Sequence, residues 1–356
     1  MKIGIVGASG FVGARAVEYL TLSGLADVRA IVRRHGGLAR LSRFEGIDWR
    51  LAEATNEEQL FRAFEGCDCV LHSIMGDDRE VAICAAPAYR AAERAGVERI
   101  VFLSSAAVYG NLQLPEVDEA TPLPGNPTPY AKAKIRAERK FLELGSRGRV
   151  GVVILRPSII IGPRSNWISG PAQQLLSSRA WLAGGGAGYC NTVYVDNLID
   201  SALLACSAEK AAGEIFLIAD DEAITWGEYY RRLGKLLGIT SSSIRNVPRP
   251  SGGRRLTDRV RKTNLFKAGV LLAPSSVRQA VKKMIGEGTR TSRWSFAEEE
   301  SFPQHLAALH CTPWRLRTDK AHRLLGYRPR VSVDEALKRS VLWLRFAGWK
   351  VQDQMI

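Results

Sequence analysis

The sequence predicts an α/β fold, a doubly wound parallel sheet covered by helices, with a smaller C-terminal lobe. Three observations carry that expectation. Strand-like and helix-like segments alternate from residue 2 to about residue 165. The strand segments are apolar on both faces, as strands of a parallel sheet buried between helices must be. The first strand–helix junction carries Gly7, Gly10 and Gly13.

The elements follow in order. Lys2–Val6 is a short β-rich run ending at Gly7, Phe11 to Leu22 has helical periodicity and stops near Gly24, and Val28–Val32 is strand-like again. A strand, helix and strand within about 30 residues form a βαβ unit, which requires parallel strands. Thr55 with Glu58 reads as a capping box for a helix ending near Gly66. Cys69–Ile74 reads as a strand, Pro87–Ala95 as a helix and Arg99–Leu103 as a strand. Thr128-Pro129 opens a helix with proline at its first position, and Gly145 closes it. Gly151–Leu155 is the next strand. Residues 166–188 read as a loop, with Gly170–Gly188 rich in Gly, Ala and Ser. Thr192–Val195 and Leu198–Ala205 read as a strand and helix returning to the main sheet. Thr225 caps a helix through Leu237, and Trp314–Leu325 and Val333–Phe346 read as late helices.

Composition bounds the alternatives. The 356 residues are 46% hydrophobic and 24% charged, enough for a sizeable core. No apolar run approaches the roughly 18 residues of a membrane-spanning helix. The first strand begins within two residues of the N-terminus, which argues against a signal peptide, and no lipidation motif is present. A cytoplasmic protein is expected. The six cysteines show no zinc spacing, and a chain of this length needs no disulfide staples. Cys67 and Cys69 read as buried thiols on one face, and no metal site is expected. His72 reads as a satisfied buried imidazole, and Trp314, Trp343 and Trp349 as packing residues.

Gly7-Ala8-Ser9-Gly10-Phe11-Val12-Gly13 has the form of a phosphate-binding turn. Gly7 permits the tight turn, Gly10 lets the backbone approach a pyrophosphate, and Gly13 allows close helix–strand packing. The helix N-terminus then faces the anion. This implies a Rossmann-type dinucleotide-binding domain at 1–165, with 189–206 returning to it, and a substrate lobe at 166–188 and 207–356. An acid about 20 residues further on would bond a ribose 2′-hydroxyl, whereas an arginine suits a 2′-phosphate. That position holds Arg33, followed by Arg34, so NADP is the preferred cofactor, with NAD possible. Glu53 lies either near the adenine or in solvent before a helix cap. Ser73 and Pro157, at the ends of two strands, complete the expected cofactor contacts.

Tyr130 and Lys134 stand four residues apart on one predicted helix, hence on one face. Ser104 and Ser105 follow the Arg99–Leu103 strand at its carboxyl end, where open α/β sheets bind ligands. A phenol titrates near pH 10, and a nearby ammonium with a positive nicotinamide would favour phenolate. Tyr130 could then exchange a proton with a carbinol oxygen, Ser105 could hydrogen-bond that oxygen, and Lys134 could hold the ribose.

These motifs resemble the extended short-chain dehydrogenase/reductase family, which includes nucleotide-sugar epimerases and dehydratases. The resembling stretches are Gly7–Gly13, Phe102–Gly110, Tyr130–Lys134, Leu155-Arg156-Pro157 with Gly162-Pro163, Val193–Asn197 and Leu324–Pro329. They run in family order over nearly the whole chain. The resemblance implies that Ser105, rather than Ser104, joins Tyr130 and Lys134 as the catalytic set. It also implies a homodimer through helices flanking the sheet. Ile159 stands where the epimerases often carry an asparagine, and Tyr194 replaces a frequent histidine. The Arg156–Ile160 form is similar to ketoreductases and the 3β-hydroxysteroid dehydrogenase-like branch. The expected function is hydride transfer at a secondary alcohol or ketone of a sugar nucleotide or similar biosynthetic intermediate, as an epimerase or dehydratase. An NADPH-consuming reductase is the alternative within the class, and a non-catalytic NADP-binding regulator the alternative outside it.

The formal net charge is +14, and residues 245–293 hold thirteen Lys or Arg against Asp258 and Glu287. Four readings stay open for this zone: a solvated face, an anionic small-molecule substrate, a membrane surface reached through Leu265-Phe266 and Val270–Leu272, or nucleic acid. The last is the least favoured, because no aromatic stacking platform accompanies the charge.

Overall fold

The computed structural model describes residues 1–239, 244–249 and 302–351. Its centre is a seven-stranded sheet. The strands are β1 (Lys2–Val6), β2 (Asp27–Val32), β3 (Asp48–Leu51), β4 (Cys69–His72), β5 (Arg99–Leu103), β7 (Gly151–Pro157) and β11 (Ile215–Ile218). They lie in the order β3-β2-β1-β4-β5-β7-β11, and every pairing is parallel. Strand order reverses between β1 and β4, which opens a crevice at their carboxyl ends.

Side-chain alternation assigns each strand to two cores. Ile3, Ile5, Val101, Leu103, Val153 and Leu155 face one. That core is closed by α1 (Phe11–Ser23), α7 (Val195–Ser207), α8 (Trp226–Leu236) and α11 (Val333–Phe346). Val6, Ile100, Phe102, Val152 and Ile154 face the other, under α2 (Glu57–Phe64), α4 (Ala85–Arg94) and α5 (Pro129–Gly145). Strand β3 forms an open edge. Its Asp48 pairs with Lys2, Arg29 and Arg50, charges that discourage pairing with another chain. The Val193–Asn197 motif ties the layers together. Asp196 accepts both ends of the Arg15 fork at 2.7 and 2.8 Å, and Asn197 accepts from the backbone of Arg330 and Val331.

Several elements differ from the sequence expectation. The second helix is capped by Asn56, which accepts from the Gln59 amide at 3.0 Å, and not by a Thr55–Glu58 box. Asparagine one residue later is at least as good a cap as threonine. A short helix, α3 (Asp78–Ile83), precedes α4, and Pro87 sits inside the first turn of α4, where its missing N–H costs little. Residues 166–188 hold α6 (Asn166–Leu176), whose Ile168, Ala172 and Leu175 are buried, and β9 (Trp181–Ala183). Burial of that apolar face overrides the loop-like composition. Thr192–Tyr194 is β10, and it pairs with β8 (Ile159–Ile161) outside the main sheet. The strand that extends the main sheet is β11, within the stretch expected for the substrate lobe. The 314–325 stretch is not one helix: β13 (Arg315–Leu316) pairs with β6 (Glu116–Val117), and α10 (Asp319–Leu324) follows. Cys67 and Cys69 are both buried but face opposite cores, because Cys67 lies in the turn before β4.

Of the basic zone, residues 245–249 are described, and β12 (Arg245–Val247) pairs with β9; residues 250–293 lie outside the described part. Helix α9 (Gln304–His310) resumes the chain. Among the described residues no helix is long and apolar enough to cross a membrane, and no side-chain group could hold a metal ion.

His72 closes the end of β4 in an apolar setting. Its ring lies 5.7 Å from Phe102 and 5.6 Å from Phe141, and neither nitrogen bonds another residue. The expectation of a satisfied imidazole is therefore corrected: it is buried but unpaired. Burial pulls its pKa down to about 3. Between pH 6.5 and about 3 the unfolded chain binds a proton that the folded chain refuses, so stability falls with pH across that window. His72→Leu should lose about 2 kcal/mol less than the parent between pH 7 and pH 5. Urea unfolding at the two pH values checks this, and parallel losses in both proteins would refute it.

Candidate active site

The turn after β1 is built in a shape that side chains would obstruct. Gly7 has φ +84°, and a Cβ there would lie 3.1 Å from the Ser73 carbonyl. A Cβ on Gly13 would lie 2.2 Å from the Gly7 oxygen, so helix α1 can approach the turn only with glycine at 13. Gly10 donates its N–H to Gly7 at 2.9 Å and is the N-cap of α1, with no side-chain cap and no acid in the first turn. Phe11 and Val12 begin the helix, and its first amides face outward, available to an anion. Ser73 locks against the same turn, its hydroxyl donating to the Val6 carbonyl at 2.8 Å. This cradle fits the pyrophosphate of a dinucleotide.

Beyond β2 the chain makes a 3₁₀ turn, His35–Arg40, with Arg34 as its N-cap residue. The turn folds back on the phosphate loop: a Cβ on Gly37 would lie 2.9 Å from the Ser9 Cβ, and the Arg40 guanidinium donates to the Ser9 carbonyl at 3.1 Å. Sequence reasoning missed Arg40, because nothing in the linear order places it beside Ser9. Arg33 is exposed and paired with Glu80. Glu53 is exposed and donates its backbone N–H to Gln59, and Pro157 ends β7 beside Ile218 of β11.

The structure brings Ser105, Tyr130 and Lys134 together at the carboxyl end of β5. Ser105 caps the 3₁₀ turn Ala106–Tyr109, its hydroxyl accepting from the Ala107 amide at 3.1 Å and lying in hydrogen-bond reach of the Tyr130 phenol. Thr128 caps α5, accepting from the Ala131 amide, so Tyr130 falls in the first turn and Lys134 one turn deeper. The Lys134 amine donates to the Leu103 carbonyl at 2.7 Å and to the Ile74 carbonyl at 3.2 Å, and lies 4.8 Å above the Phe102 ring. Burial lowers its pKa to about 8. Burial also raises the Tyr130 pKa, against the Ser105 hydrogen bond that lowers it. Burial thus favours the protonated form of the phenol.

Beneath this set lies a buried polar network that sequence reasoning did not assign. Ser104 donates to Glu138, one helical turn past Lys134. Arg156 clamps Glu138 with two bonds of 3.0 and 2.7 Å and donates to the Tyr109 hydroxyl at 2.7 Å. Tyr109 in turn donates to the Asp118 carbonyl. Ser104 is therefore engaged, which leaves Ser105 as the serine turned to Tyr130. The signal available was the spacing of Tyr130, Lys134 and Glu138 along one helix face. Arg156→Met should destabilise the protein by about 3–5 kcal/mol by leaving Glu138 buried without its partner. Adding Glu138→Leu should restore more than half of that loss. Denaturant titration of both variants decides, and an equal loss in the double variant would refute the paired-charge account.

Residues 3–219 match the NAD-dependent epimerase/dehydratase family. A 2-alkyl-3-oxoalkanoate reductase from Stenotrophomonas maltophilia is 24% identical over 95% of this chain and 98% of its own. A 3β-hydroxysteroid-dehydrogenase/decarboxylase from Arabidopsis thaliana is 23% identical over 98% of this chain and 80% of its own. The crystal structure of a dTDP-glucose 4,6-dehydratase from Streptomyces venezuelae, with NAD bound, superposes with a TM-score of 0.71 at 22% identity. It covers 98% of this chain and 99% of its own, a likeness of fold.

Proposed function

The chain belongs to the NAD-dependent epimerase/dehydratase family, and on that premise we propose that it is an NAD(P)-dependent oxidoreductase acting at a secondary alcohol or ketone. The observation that carries the reading is the convergence of Ser105, Tyr130 and Lys134 at the end of β5, across from the Gly7–Gly13 cradle. In this reading Gly7, Ser9, Gly10, Phe11, Val12, Gly13 and Ser73 hold the pyrophosphate side, Lys134 and Pro157 border the nicotinamide side, and Arg33, Arg34 and Arg40 receive a 2′-phosphate. The three arginines support NADP as the preferred cofactor. The bound nicotinamide supplies hydride transfer. Tyr130 exchanges the matching proton with the carbinol or carbonyl oxygen, Ser105 hydrogen-bonds that oxygen, and Lys134 keeps the site positively charged.

A sugar nucleotide or similar biosynthetic intermediate is the substrate class we put first. A reductive reading is favoured by the likeness, over nearly the whole chain, to a 2-alkyl-3-oxoalkanoate reductase. Denaturing the freshly purified protein and identifying the released dinucleotide separates the two. Tightly retained cofactor supports in-place recycling, and an empty site that binds NADPH reversibly supports a reductase.

Tyr130→Phe should reduce turnover of keto or sugar-nucleotide substrates about 10²–10⁴-fold while dinucleotide affinity is kept. Turnover is read by nicotinamide absorbance and affinity by nicotinamide fluorescence. Unchanged turnover would overturn the catalytic reading.

A further inference from the structure

The fold supplies an acid that the sequence order withholds. The end of β2 carries Arg33 and Arg34 and no carboxylate, yet Glu80 of α3 reaches Arg33 from the other side of β1. Strands β2 and β4 flank β1, and β1 ends in the Gly7 turn. Arg33 follows β2, and Glu80 lies shortly after β4. Their pair therefore bridges the two strand ends above the phosphate loop, on the side of the crevice that receives the adenosine half of a dinucleotide.

We propose that Glu80 is a cofactor-specificity residue, which by holding the Arg33 guanidinium sets the balance between dinucleotides with and without a 2′-phosphate. The inference rests on the reading of Arg33 as the partner of that phosphate. One Arg33 nitrogen bonds both Glu80 oxygens, at 3.1 and 3.2 Å. Both side chains are about half exposed, at 51% and 50%, so the pair is weak and salt-screened and the guanidinium can be taken over by a ligand. A 2′-phosphate must win the guanidinium from the carboxylate, so the Arg33–Glu80 pair is lost when that phosphate binds. A ribose 2′-hydroxyl has no such conflict, because it can donate to the carboxylate while Arg33 stays paired. Of the acids beside it, Asp77 is spent as the N-cap of α3, accepting from the Arg79 amide at 2.7 Å. Glu80 thus opposes the 2′-phosphate that Arg33, Arg34 and Arg40 attract.

The test is equilibrium binding of NADH and NADPH to the full-length protein, followed by nicotinamide fluorescence at low salt. The parent is compared with Glu80→Gln, Arg33→Ala and the double variant. Glu80→Gln should shift the ratio of the two dissociation constants about two- to fivefold toward NADPH, and less at high salt. Arg33→Ala should shift it the other way, and in the double variant the Glu80 effect should vanish. An unchanged ratio in Glu80→Gln overturns the inference whatever Arg33→Ala does. So does a Glu80 effect that survives without Arg33. An unchanged ratio in Arg33→Ala instead overturns the 2′-phosphate reading on which the inference rests.

Discussion

Helix α5 carries two ionisable side chains, Lys134 and Glu138, into the interior on successive turns, and the surrounding structure is arranged to receive them. A buried charge without partners would cost more than the helix contributes. Each is met in a different way. Lys134 donates to two main-chain carbonyls at the ends of β4 and β5, which fixes the helix against the carboxyl edge of the sheet. Glu138 takes the Arg156 fork from β7 and the Ser104 hydroxyl from the end of β5. Three strands and one helix are thereby held in a single relation, and Ser105 and Tyr130 inherit their positions from it. The same burial that makes the arrangement rigid sets its acid–base character, with the amine brought down and the phenol pushed up.

At the other end of the crevice the constraint is steric. The Gly7 turn admits helix α1 only because residue 13 has no Cβ, and the His35–Arg40 turn settles on Ser9 only because residue 37 has none. These close approaches bring Arg40 onto the loop, where the first turn of α1 has neither a side-chain cap nor an acid. From α3, Glu80 reaches across to pair with Arg33. The glycine cradle is a matter of backbone shape, while the charge around it is a matter of a few exposed side chains.

Comparison of sequence and structure shows where linear reading succeeds. β1, β2, β5 and β7 are legible because their apolar runs are bounded by glycines or charged residues, and α5 is legible because Thr128 and Pro129 mark its start. The Thr55 cap fails by one residue because Asn56 competes for the same role. Helix α6 is hidden by its glycine and proline, and is stabilised by Ile168, Ala172 and Leu175 packing into a core that no local window reveals. Strand β11 is four apolar residues, too short to be told from a helix turn by periodicity. Its membership of the main sheet follows from the free edge of β7.

The sequence by itself determined the strand–helix alternation of a doubly wound sheet, the glycine turn and the spacing of Tyr130 and Lys134, because these depend on local steric rules and on helical period. The resemblance already pointed to Ser105, and tertiary structure supplied the physical reason, since Ser104 is drawn to Glu138 and Ser105 is left beside Tyr130. Tertiary structure also decided the directions in which burial moves the amine and the phenol, down for Lys134 and up for Tyr130. Most of all, it brought Glu80 to Arg33 and Arg40 to Ser9, partners 47 and 31 positions apart in the chain. Electrostatic selection acts through space, and the spatial neighbours of a charge are fixed only when strands on either side of β1 are laid side by side.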